Sequence, residues 1–145
     1  MLLAIIVSLS LVVITFMFHY QSLLWLSIAM RKKGKINTRF HVLMIVMALF
    51  VTHLIEIAIY GLAYIGSSSY LGLGEFTGAI STSPMTYLYY SGVIYTTLGL
   101  GDIQPVGHLR FITATEALNG FLLITWSASF TFIAMMRLWQ WDTDR

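Results

Sequence analysis

The chain has 145 residues, of which 58% are hydrophobic and only 10% charged, with a formal net charge of +2. An ordinary soluble domain is about a quarter charged, so these proportions exclude a soluble enzyme domain and a disordered tail. Cysteine is absent, which excludes a disulfide framework and a thiolate metal site, and the basic excess comes from one short cluster, which excludes a nucleic-acid binder.

A chain this apolar takes the bilayer as its solvent. A spanning helix needs about 20 mostly apolar residues, because each rises about 1.5 Å and the hydrocarbon core is about 30 Å thick. Residues 1–30 carry no Lys, Arg, Asp or Glu and read as a peripheral transmembrane helix. They lack the basic start of a signal peptide and run longer than one. Residues 31–40 form a basic loop with Arg31, Lys32, Lys33, Lys35 and Arg39, a topology determinant and a contact for anionic lipid. A second span over 41–66 holds one charge, Glu56. The connection 67–83, with Ser67–Ser69, Gly72, Gly74 and Gly78, reads as a flexible turret.

Ser83–Pro84 then looks like a helix start, with Ser as N-cap and Pro at the first helical position. The apolar stretch 84–95 is too short to span, so it is expected to be a re-entrant helix buried in protein. Residues 96–102 form an irregular segment, 108–138 a third span with Glu116 as its one acid, and 139–145 a short tail. Seven of the eight basic residues fall on the 31–40 loop or at and beyond the end of the third span (Arg137 and Arg145). The positive-inside bias therefore puts that loop and the C-terminus in the cytoplasm, and the N-terminus and the 67–108 connection outside. The expected location is the cell membrane, with several passes. Trp139 and Trp141 suit an inner interfacial belt, and Tyr60, Tyr64 and Tyr70 the outer boundary.

The irregular segment reads Thr96-Thr97-Leu98-Gly99-Leu100-Gly101-Asp102. Irregular backbone at membrane depth is tolerated only where it lines an aqueous path or is buried in protein. Glycines at alternate positions permit left-handed residues between ordinary ones, and alternating handedness can turn successive carbonyls the same way. Rows of carbonyls from several chains can replace the water shell of a monovalent cation. The preceding short helix would aim the negative end of its dipole at that cation. Leu71-Gly72-Leu73-Gly74-Glu75 copies the second half of the motif, but no Thr pair and no short helix precede it, so it reads as loop.

On these residues the sequence resembles the potassium-channel pore family, whose signature Thr-Thr-Val-Gly-Tyr-Gly-Asp it matches at five of seven positions. Leu88, Tyr89, Tyr90 and Ser91 fall where the family has Leu-Trp-Trp-Ser, Pro105–Val106 on its post-filter Pro-Val, and Gly120 where it often has a hinge glycine. The resemblance covers roughly residues 41–138 and is nearest to small bacterial pore-only members, with the first helix as an addition. It implies a filter in which Thr97, Leu98, Gly99, Leu100 and Gly101 coordinate K⁺, supported by Thr96, Asp102, Tyr89 and Tyr90. Leu100 stands where the family has the bracing Tyr, so the filter is expected to be held by apolar packing of Leu100 on Tyr89 and Tyr90, and to resist collapse at low potassium less well.

A second set of residues is polar within the spans. His53 and Glu56 are three apart and share a helix face. Ionisable groups near mid-membrane cost several kcal/mol unless paired or neutralised. One reading is a buried hydrogen-bonded pair that locks helices together, and the other is a proton or metal sensor that modulates the pore, with pH acting through His53. Glu116 would join this cluster or brace the back of the filter. Asn119 could bond between subunits, and Gly120 could be a hinge or a close-packing site. His19 reads as a packing partner, and Ser127, Ser129 and Thr131 as a mildly polar cavity wall.

The expected fold class is therefore an all-α membrane protein with the potassium-channel pore fold, built from three transmembrane helices, a re-entrant pore helix and a selectivity filter. A closed ring of carbonyls needs four strands, so a homotetramer is expected, with membrane lipid and K⁺ as the other partners. No cofactor and no enzymatic activity are expected. The alternatives are a poorly selective Na⁺/K⁺ channel and a non-conducting sensor or accessory module.

Overall fold

The computed structural model describes residues 1–31, 38–79 and 83–138. The tail 139–145, with Trp139 and Trp141, and most of the basic loop lie outside the described residues. Four helices carry the fold: α1 (Leu2–Arg31), α2 (Thr38–Ser69), α3 (Pro84–Tyr95) and α4 (Leu109–Leu138). Two short strands, β1 (Phe76–Gly78) and β2 (Ile103–Pro105), pair antiparallel with Phe76 opposite Pro105 and Gly78 opposite Ile103. Three of the helices, α1, α2 and α4, are long and apolar enough to cross a membrane.

The buried face of α1 is the row Ala4, Ser8, Leu11, Thr15, His19 and Leu23, spaced three or four apart as one face of a helix requires. Its other faces are large and apolar and remain exposed, including Ile6, Leu9, Val13, Ile14 and Met17. α1 packs on both α2 and α4. Two apolar clusters cap its ends. One joins Ala4 and Leu11 to Tyr60, Tyr64, Tyr90, Leu109 and Ile112, and the other joins Leu23 to Ile45, Leu49 and Ala134. α1 thus runs antiparallel to α2 and parallel to α4. Between the clusters lies a band of buried polar groups: Thr15, His19, Glu56, Asn119 and Ser127.

α3 starts as its sequence dictates. Ser83 has an extended backbone (φ −74°, ψ 137°), and its side chain accepts from the Met85 N–H at 3.3 Å. Pro84 follows, where its missing N–H is no loss. α3 then packs between α2 and α4.

Three expectations need correction. α2 continues through Ser69, three residues past the expected end at 66. The turret is not a free flexible loop: the Val106 N–H donates to the Glu75 carbonyl at 2.8 Å and the His108 N–H to the Leu73 carbonyl at 2.8 Å. Together with the β1–β2 pairing, these bonds clamp 73–79 onto the backbone after residue 101. The clamp is close, because a Cβ on Gly74 would stand 2.0 Å from the Val106 carbonyl oxygen. Finally, Tyr60 and Tyr64 do not face outward: both are wholly buried, with their hydroxyls bonded to polar partners inside, whereas Tyr70 is 85% exposed.

Candidate functional site

At the C-terminus of α3 the chain turns back on its own carbonyls. Thr97 N–H donates to Ile94 O at 2.9 Å, and Leu98 and Gly99 N–H both donate to Val93 O at 3.0 and 3.2 Å. The amides of the irregular segment are thereby tied to the helix end, whose last carbonyls would otherwise lack partners. Left-handed backbone recurs at alternate residues: Thr97 (φ 60°), Gly99 (φ 57°) and Gly101 (φ 78°). The glycines adopt this conformation without steric cost. Thr97 is β-branched and does not, so it holds strain of about 1–3 kcal/mol that the surrounding bonds must impose. No residue from 96 to 102 is buried; Leu98 is 63% and Leu100 58% exposed.

The brace of this segment differs from the expected one. Leu100 does not bury itself on Tyr89 and Tyr90. Instead the Tyr89 hydroxyl donates to Asp102 Oδ2 at 2.8 Å, and this bond holds the Tyr89 phenol above its usual pKa. Tyr90 turns inward: its hydroxyl lies 2.9 Å from Thr113 Oγ1, and its ring packs edge-on against Tyr64 and Phe76. The Thr96 hydroxyl returns to the Gly92 carbonyl at 2.7 Å.

Behind α3 the buried acids form two separate clusters. Glu116 accepts from Tyr64 on α2 and lies 2.6 Å from Ser91 Oγ on α3, so it ties three helices together at the back of the irregular segment. It does not join His53 and Glu56. Those two are indeed bonded, at 3.1 Å between His53 Nδ1 and Glu56 Oε2, but they are part of a larger ring. The Tyr95 hydroxyl lies 2.5 Å from Glu56 Oε2 and 2.9 Å from His53 Nδ1. Ser127 Oγ lies 3.0 Å from His53 Nε2 and 3.2 Å from His19 Nε2. His19 Nδ1 closes the ring on Glu56 Oε1 at 3.0 Å. His19 is therefore a polar member of the cluster and more than a packing partner. Ser127 belongs to the cluster as well, so it does not form a cavity wall.

Asn119 bonds within the chain. Its amide donates to Thr15 Oγ1 at 2.7 Å and to the Tyr60 hydroxyl at 3.1 Å, on α1 and α2, while its Oδ1 accepts from no described residue. Gly120 packs against the end of α3: a Cβ there would meet the Tyr95 carbonyl oxygen at 2.1 Å. Sequence reasoning missed Tyr95, Ser91, Tyr64 and Thr15. Tyr95 carried a usable signal, a polar aromatic directly before the Thr pair.

Three long apolar helices, with a short helix and a strained, exposed loop set between the second and third, define an integral membrane protein built round a re-entrant segment. A family model for ion channels of the two-helix pore type matches residues 41–137. The chain belongs to this ion-channel family, and α1 is an addition to the matched part. Neither a curated protein nor a solved structure matches it.

Proposed function

We propose that four copies of the chain surround a common axis and conduct K⁺ passively, with Thr97, Leu98, Gly99, Leu100 and Gly101 as the coordinating strand. The observation that carries this reading is the left-handed backbone at residues 97, 99 and 101. Alternation of this kind turns successive carbonyls to one side, where they can replace the water around a monovalent cation. The exposure of Leu98 and Leu100 on one chain supports an assembly, since apolar side chains at the end of a re-entrant helix need partners. Tyr89 and Asp102 would hold the outer mouth of the filter. The 31–40 loop and the C-terminus would face the cytoplasm, with the N-terminus outside.

Leu100 favours a second reading, a pore that passes Na⁺ as well, because the hydroxyl brace at this position is missing. The purified chain in liposomes separates the readings. With K⁺ on one side and Na⁺ on the other, the expected reversal potential lies close to that of K⁺. A value near zero would favour the unselective pore, and the absence of flux a non-conducting module. Gly99→Ala should reduce flux although its Cβ meets nothing within 4 Å, because left-handed backbone at φ 57° costs alanine about 1–2 kcal/mol. Chemical cross-linking should stop at four chains.

A further inference from the structure

The ring at the base of α3 contains a set of ligands the conduction reading does not use. His19 on α1, with His53 and Glu56 on α2, offer three ligand atoms that all lie within 4.8 Å of one another. Glu56 stands between the imidazoles, 3.0 Å from His19 Nδ1 and 3.1 Å from His53 Nδ1. Zinc-class ions sit about 2.0–2.2 Å from nitrogen and oxygen donors in a tetrahedron, which sets those donors roughly 3.3 Å apart. The two Glu56–histidine separations lie close to that figure. A fourth donor is at hand in the Tyr95 hydroxyl, 2.9 Å from His53 Nδ1 and 2.5 Å from Glu56 Oε2.

Ser127 supplies the second observation. Its Oγ lies 3.0 Å from His53 Nε2 and 3.2 Å from His19 Nε2. A hydroxyl oxygen has two lone pairs and can accept from both Nε2–H groups. With an ion bound, that tautomer turns both Nδ1 lone pairs toward it; without the ion, the Nδ1–H groups donate to the Glu56 carboxylate, which can only accept. Metal-binding histidines generally donate the other ring N–H to an acceptor that fixes the ring. Here one serine does this for two histidines. The five side chains also bond to one another in a closed ring, so the ligands are held in place by the protein.

We propose that His19, His53 and Glu56 form a binding site for a divalent transition-metal ion of the zinc class, with the Tyr95 hydroxyl as fourth donor and Ser127 orienting both imidazoles. Two nitrogen donors in a cage of four disfavour Ca²⁺ and Mg²⁺, which take six or more oxygens. A tetrahedral set of these donors would disfavour Cu²⁺, which prefers square-planar nitrogen and oxygen ligands. His19 and Glu56 are fully buried, while 17% of the His53 side chain stays exposed on the single chain. An ion here would join α1 to α2 directly and reach α3 through Tyr95, the residue before Thr96. It would fasten the added helix to the base of the irregular segment.

Cobalt is the probe, because Co²⁺ in a tetrahedral site absorbs visible light and in an octahedral one hardly does. The full chain, purified in detergent and stripped with a chelator, is titrated with Co²⁺ and then with Zn²⁺. The expected result is a tetrahedral absorption band that saturates at one ion per chain and is bleached by one equivalent of Zn²⁺. His19→Ala and Glu56→Ala should abolish the band. Should either variant fail to fold, Ser127→Ala, which removes only the orienting acceptor, should weaken Co²⁺ binding by about 10–100-fold. A full chain that shows no saturable tetrahedral band, or a folded His19→Ala that binds as the parent does, overturns the assignment.

Discussion

Gly120→Ala should weaken the fold at the joint between α4 and the end of α3. A Cβ at this position would lie 2.1 Å from the Tyr95 carbonyl oxygen, 2.9 Å from its carbonyl carbon and 2.9 Å from its ring carbon Cγ. Ordinary contact begins near 3.4 Å, and the nearest atoms are backbone, so no side-chain rotation relieves the clash. The two helices must part by roughly an ångström. Overpacking of this kind costs about 1–3 kcal/mol. For a chain of this length that corresponds to a fall of about 3–10 °C in Tm. Gly66→Ala is the matched control, because it also lies within a long helix but its Cβ meets nothing within 4 Å. There the substitution removes the helix cost of glycine and should stabilise by about 0.5–1 kcal/mol. Thermal unfolding of both variants in detergent, followed by circular dichroism, reads the difference. A pure hinge at Gly120 would change gating and leave the melting temperature near the parent's. Equal melting temperatures for Gly120→Ala and the parent would refute the close-packing account.

Three further outcomes follow from the same geometry. Tyr89→Phe removes the donor to Asp102 Oδ2 and should hasten the decay of K⁺ flux in low external potassium; an unchanged time course would show that this bond does not brace the mouth. Gly74→Ala places a Cβ 2.0 Å from the Val106 carbonyl oxygen at a backbone φ of 147°, so residues 73–79 should detach from β2 and Val106. Faster amide exchange at Val106 and His108 is the expected readout, and unaltered protection there would count against the clamp. Thr15→Val and Asn119→Ala, made singly and together, should show a coupling of about 0.5–1.5 kcal/mol in unfolding experiments, since each removes one end of a buried hydrogen bond. Additive effects would mean that α1 is not held through this bond.

Some of this architecture is legible in the sequence and some is not, and the division has a physical basis. The long helices announce themselves because the bilayer demands length and apolarity. The start of α3 is written in Ser83–Pro84, and the left-handed backbone at residues 99 and 101 in their glycines. Thr97 shares that conformation with no glycine to signal it, because the bonds from the end of α3 impose it. The clamp on the turret leaves no pattern either, since it consists of backbone bonds and close approaches at Gly74 and Gly78. The polar partners were misjudged for a related reason. Glu56 meets His19 across 37 positions of sequence, and Asn119 meets Thr15 across 104, distances over which a helical period says nothing.

The harder question was which face of each helix turns inward, and here the usual signal is reversed. In water the buried stripe of a helix is its apolar one, but in lipid both faces can be apolar, and close packing and hydrogen bonding decide. On α1 most large apolar side chains, including Ile6, Leu9, Val13, Ile14 and Met17, are exposed, while the buried row joins Leu11 and Leu23 to the small and polar Ala4, Ser8, Thr15 and His19. The small and polar residues mark the interior. By that criterion His19 points inward, and so do Asn119, Gly120 and Ser127 on α4, all of them buried. The same logic explains how α1 is attached to the rest. An apolar helix in lipid gains little from covering apolar surface, so its hold on the matched region rests on Thr15 reaching Asn119 and on His19 reaching Glu56 and Ser127. Of these residues, Glu56 is bonded in turn to Tyr95, one step from the Thr pair. The added helix is thereby linked to the end of α3 through His19, Glu56 and Tyr95, next to the irregular segment.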